Sequence, residues 1–128
     1  MKSLKKFEDH AYAALRIMSG LMFTFHGAQK ILGVFAESPV PFGTQIWLGG
    51  IIELLGGLAI ALGFKTRWAA FLSSGTMAVA YFQFHWKFQF DSNFLPGVNR
   101  GEMAVIYCFV FLLIACRGAG KWSLDKGD

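Results

Sequence analysis

The 128 residues are 55% hydrophobic and 16% charged, with 14 phenylalanines and a formal net charge of +4. A soluble domain carries about 25% charged residues, and one this short has little interior in which to hide so much apolar surface. The composition therefore points away from an ordinary soluble globule and toward lipid; the soluble alternative is a wholly apolar four-helix core that oligomerises heavily.

The length makes residues 1–128 one domain, and four apolar segments follow in order, each near the roughly 20 residues needed to cross a bilayer. The first covers 12–34, interrupted by Arg16, His26 and Lys30. Lys2, Lys5 and Lys6 ahead of Ile17–Phe25 have the outline of a signal peptide, but no small-x-small cleavage site follows, so an uncleaved helix is expected. Pro39 and Pro41 break the chain before the second segment, 44–64. After a basic turn, Lys65-Thr66-Arg67, the third covers 68–86. A polar loop with Asp91, Asn93, Pro96 and Asn99 leads to the fourth, 101–116, and a polar tail, 119–128, is expected at the surface. The predicted fold is all-α: an integral membrane four-helix transmembrane bundle.

Lys and Arg outside these segments divide unevenly. Lys2, Lys5, Lys6, Lys65, Arg67, Arg117, Lys121 and Lys126 fall on one side, Lys87 and Arg100 on the other, which predicts both termini in the cytoplasm and a multi-pass protein of the plasma (inner) membrane. The basic residues flank apolar segments and form no tract, so nucleic acid is not an expected partner; the lipid bilayer is. Trp47, Trp68, Trp86 and Trp122 stand near segment ends, as an interfacial aromatic belt requires. Cys108 and Cys116 lie about 12 Å apart along one helix, too far for a disulfide, and read as core filler.

Helices in lipid associate through close backbone packing. Gly49, Gly56 and Gly63 recur every seven residues, as do Gly50 with Gly57 and Gly20 with Gly27, predicting packed faces on the first two helices. Ionisable groups on such faces are functional candidates by default. Glu53 shares the glycine face, and His26 and Lys30 share a face of the first helix beside Gln29. Counting down from the outer ends at 1.5 Å per residue places His26 and Glu53 at similar depth, about 12–13 Å. Tyr81 and His85 on the third helix, with Arg100 and Glu102 at the start of the fourth, complete a predicted outer cluster. Arg16 is expected to snorkel to the cytoplasmic interface. Two readings of the cluster stand side by side: a structural one, with Glu53 neutralised by His26 or Lys30, and an outward-opening pocket that binds a headgroup or moves protons. No HxxxH or ExxH spacing supports a metal, the depths of His26 and His85 do not suit a shared haem, and Gly118–Ser123 lacks the residues of a phosphate loop.

At these positions the sequence resembles the DoxX-like family of small four-helix membrane proteins. The similarity runs through Phe25-His26-Gly27-Ala28-Gln29-Lys30, Glu53-Leu54-Leu55-Gly56-Gly57, Gly63-Phe64-Lys65-Thr66-Arg67-Trp68, Asn99-Arg100-Gly101-Glu102 with Tyr107, and Gly120-Lys121-Trp122-Ser123-Leu124-Asp125. Arg100 separates an asparagine and glycine that adjoin in the family pattern. The resemblance implies a subunit of a redox complex with no covalently bound cofactor and a quinone as ligand, held by His26, Glu53 and His85. It equally implies an accessory or assembly protein, whose partner is another membrane or membrane-associated protein or a second copy in a homo-oligomer. A small-solute transporter is the third expectation.

Overall fold

The computed structural model describes residues 2–126, and every regular element among them is helical. After a single turn at Lys2–Lys5, four long helices form: α1 (Glu8–Leu32), α2 (Gln45–Leu62), α3 (66–86) and α4 (Glu102–Arg117). Their ends are set locally. Glu8 and Asp9 complement the N-terminal dipole of α1. Thr44 caps α2 by accepting a hydrogen bond from Trp47 N at 3.1 Å, and Gly63, at φ 68°, ends it in the left-handed conformation. Of the four, α2 alone is long and apolar enough to cross a membrane by itself; α1 carries internal charges and α4 has 16 residues.

Neither α2 nor α3 is a uniform α-helix. Each contains a π-helical turn, Ile52–Gly56 in α2 and Tyr81–Trp86 in α3, where an i→i+5 hydrogen bond accommodates one extra residue.

Helices α1 and α2 pack backbone to backbone. A Cβ on Gly27 would lie 2.2 Å from Leu54 N, one on Gly20 2.6 Å from Ala61 N, and one on Gly57 2.5 Å from Thr24 N. These three glycines occupy the packed face that their spacing predicts. Gly49 does not: a Cβ there meets nothing within 4 Å. Helices α3 and α4 form the second pair, closed by Ala70 and Met77 on one side and Phe111 and Ile114 on the other, with Phe23 of α1 edge-on to Phe111. Ser74 Oγ donates to Cys108 O at 2.8 Å across this pair. The two pairs splay where α2 faces α3.

The tail departs from the sequence expectation. Residues 118–125 fold back instead of lying free on the surface, and Ala119 is buried. Tyr12 Oη donates to Gly118 O, Leu124 N to Leu62 O at 3.1 Å, and Asp125 N to Gly63 O at 2.7 Å. This strap puts both ends of the described chain at one pole of the bundle. The loops 33–44 and 87–101 form the opposite pole, called the loop end below.

Candidate functional site

The splay between α2 and α3 leaves a groove of about 750 Å³, walled mainly by apolar residues such as Ile52, Phe71 and Met77. Its polar groups are few: Lys30, Gln45, Glu53, Ser74, Thr76 and His85. Gly49 on one wall and Gly75 on the other leave open space where side chains would project, so their hydrogens are what keep the groove wide. Glu53 and His85 both belong to π turns, an irregularity that recurs at functional sites.

Glu53 is only 4% exposed. Lys30 Nζ donates to both carboxylate oxygens, at 2.5 and 2.6 Å. An ammonium has three donors, so the partly exposed Lys30 retains one. At the loop end Gln45 Nε2 donates to Gln83 Oε1, tying the two walls together. Behind the pair, Tyr107 is buried with its hydroxyl unpartnered.

The predicted cluster is only partly assembled. Lys30, Glu53 and His85 share the groove. His26 is excluded from it: exposed, with its ring edge-on to Tyr107 at 6.3 Å on the α1–α4 side. Of the two expected partners of Glu53, His26 or Lys30, it is Lys30 that pairs with it. Gln29 is half-buried and does not line the groove. Tyr81 turns into the loop, where its hydroxyl donates to Phe94 O at 2.6 Å and accepts from Asn99 Nδ2 at 3.2 Å. Glu102, exposed, opens α4. Arg100 lines a second, polar cavity of about 270 Å³ at the loop end, with Lys87, Gln89, Asn93 and Asn99. Phe84 and His85 line both cavities, and His85 Nδ1 lies 3.3 Å from Asn99 O.

A network at the other pole corrects the reading of Arg16. Its side chain does not snorkel; it is fully buried. Nη1 donates to Ile60 O and Ala61 O at 2.6 and 2.8 Å, and Nη2 to Lys121 O and Trp122 O at 3.0 and 2.8 Å. The guanidinium thus meets the negative C-terminal end of α2 and holds the strap against it. Asp125 completes the closure by accepting from Lys65 N, Thr66 N and Thr66 Oγ1 at the start of α3. Burial alone would raise its pKa, but the Thr66 and Lys65 donors and the nearby Arg16 charge outweigh that and hold the carboxyl below its ordinary value. Arg117 pairs with Asp9 at 2.8 Å and covers the Tyr12 ring.

Comparison with known proteins agrees with the resemblance. The family profile described as DoxX matches residues 11–86. A Haemophilus influenzae protein named only as uncharacterized is 35% identical over 134 residues, covering 98% of this chain and 96% of the relative. The inner membrane protein YqjF of Escherichia coli strain K12 is 33% identical over 130 residues, covering 96% of this chain and 95% of the relative. No solved structure matches.

Proposed function

The chain belongs to the DoxX family of membrane proteins, and from that premise we propose that it is a four-span inner-membrane subunit whose groove binds a quinone. The spanning arrangement is supported by an inverted distribution of side chains. Each long helix turns large apolar residues outward, among them Met18, Leu55, Phe71 and Phe109, while Arg16 and Glu53 are enclosed. The ends of the described residues meet at one pole, and the excess of Lys and Arg there supports reading that pole as the cytoplasmic one. The loop end, and with it the polar end of the groove, then faces outward.

The observation that carries the ligand reading is a wide, apolar groove interrupted by one ion pair, in which Glu53 is buried and Lys30 partly exposed. Its volume suits a ring with part of an isoprenoid tail, and its side opening gives a lipid-dissolved molecule access. The remaining Lys30 N–H donates to a quinone carbonyl, and the Glu53 carboxylate accepts from a quinol hydroxyl. His85, between groove and polar cavity, exchanges protons with the outer surface. Reduction of a quinone takes two electrons and two protons; the electrons come from a partner oxidoreductase. A second reading, docking to another membrane protein without catalysis, is favoured by Phe35, Phe42 and Phe90, each more than 80% exposed at the loop end.

The test is titration of the detergent-purified protein with a short-chain ubiquinone analogue. Gly49→Leu fills the groove from a position with no neighbours to displace, and Glu53→Gln alters the acceptor. The expected result is saturable binding, weakened at least about tenfold in Gly49→Leu while helicity and thermal midpoint are kept. Absence of saturable binding, or equal binding by both variants and the parent, overturns the quinone reading; a stoichiometric co-purifying membrane protein in that case supports docking.

A further inference from the structure

From the loop-end cavity we infer a binding site for the phosphate of an anionic membrane phospholipid, distinct from the quinone groove. Lys87 and Arg100 are the sole Lys or Arg residues in the loops 33–44 and 87–101. They enter from opposite ends of one loop, yet both line the same cavity of about 270 Å³, and no carboxylate lines it with them. Neither makes an ion pair or hydrogen bond through its side chain with another described residue. Two unneutralised cations converging on a polar concavity are the recognition chemistry of an oxyanion.

The backbone adds a second, independent observation. Lys87 and Arg100 stand at φ 56° and 61°, in the left-handed region that strains any residue with a Cβ. Each ends a helical turn, Tyr81–Trp86 and Pro96–Asn99 respectively. A helix C-terminus explains a positive charge there, but glycine or asparagine would meet the backbone conformation with less strain. At both positions a cation stands instead, and both cations border the same cavity.

The surroundings favour a lipid over a free ion. The cavity adjoins Phe84 and Val98 on its own wall, and Trp86 with the exposed Phe88 and Phe90 forms an aromatic cluster beside it. Such clusters sit at headgroup level, where lipid phosphates lie. Gln89 adds an amide whose side chain has no partner among the described residues. The amide of Asn93 is already spent on the His85 and Trp86 carbonyls at the end of α3, and that of Asn99 on Tyr81 and the Asn93 carbonyl, so both line the cavity with their donors engaged. A phosphate held by Lys87 and Arg100 would leave its acyl chains to run along the exposed apolar faces of α3.

The experiment uses the full chain in nonionic detergent at low salt. It is titrated separately with dihexanoyl-phosphatidylglycerol, dihexanoyl-phosphatidylcholine and inorganic phosphate, and binding is followed by tryptophan fluorescence. The expected result is saturable phosphatidylglycerol binding, tighter than for either other probe. It weakens about tenfold or more in Lys87→Gln/Arg100→Gln and is unchanged in Lys121→Gln/Lys126→Gln at the opposite pole. Gly49→Leu leaves it intact, which separates this site from the groove, whether or not the groove takes a quinone. The inference is overturned by absence of saturable lipid binding, by equal loss in the two double variants, or by inorganic phosphate binding as tightly as the lipid. A matched thermal midpoint shows that any loss is not unfolding.

Discussion

Replacing Arg16 by methionine keeps most of the buried stem and removes the guanidinium that serves four carbonyls. Hydrogen bonds from a charged donor contribute about 1.5–3 kcal/mol each, net of their exchange with water. The acceptors on Lys121 and Trp122 lie on the partly exposed strap, where water replaces the lost donor. Those on Ile60 and Ala61 are buried and stay unsatisfied. Counting only the buried pair, Arg16→Met destabilises by about 3–6 kcal/mol, a large part of the about 5–15 kcal/mol that holds a domain together. Arg16→Lys recovers part of this, since a single ammonium cannot span both carbonyl pairs as the planar fork does. Unfolding in mixed detergent micelles with rising dodecyl sulfate, followed by circular dichroism, measures the difference. A chain ending at Gly118 supplies the cycle: with the strap gone, Arg16→Met costs less than in the full chain. The reasoning is refuted if Arg16→Met stays within about 1 kcal/mol of the parent, the size of an exposed polar contact.

Three further outcomes follow from the packing and the strap. Gly27→Ala puts a methyl group 2.2 Å from the Leu54 nitrogen, and since backbone cannot rotate aside, it costs about 1–3 kcal/mol or more in the same unfolding assay. Gly49→Ala, with no neighbour within 4 Å, is neutral or stabilising by up to about 1 kcal/mol. Asp125 has a depressed pKa in the folded protein, so its contribution is complete above the usual carboxylate range and is lost as pH falls through the folded value. Asp125→Asn lowers the thermal midpoint at neutral pH and removes that part of the acid-side decline, which a pH series of melting curves reads directly.

Helix number and approximate bounds were legible because hydropathy and the Pro39, Pro41 and Gly63 breaks act locally. The packed faces of α1 and α2 were legible for the same reason, since glycines seven apart fall on one helix face, though spacing did not say that these faces meet each other. Equal depth on consecutive antiparallel helices brings Glu53 toward His26, and Lys30 shares that helix face, so a partner for Glu53 from α1 could be anticipated, but the choice of Lys30 over His26 could not. Positions four apart on a helix differ by about 40°, enough to send Lys30 to the groove and His26 to the α4 side. The π turns that carry Glu53 and His85 have no signature in residue type, so a regular helical wheel misassigns the faces around them. Arg16 was misread because its partners are main-chain carbonyls, which every residue possesses. The sole trace of them was Gly120–Asp125, a segment whose family-like pattern gave no hint of which atoms it would offer.

The strap carries a consequence for biosynthesis. Arg16 emerges from the ribosome 105 and 106 residues ahead of two of its four acceptors, and ahead of the Asp125 carboxylate as well. Until the strap follows, the first two helices hold a cation with half of its socket missing. Closure of that pole thus waits on the strap, and products cut short before it lack the clasp.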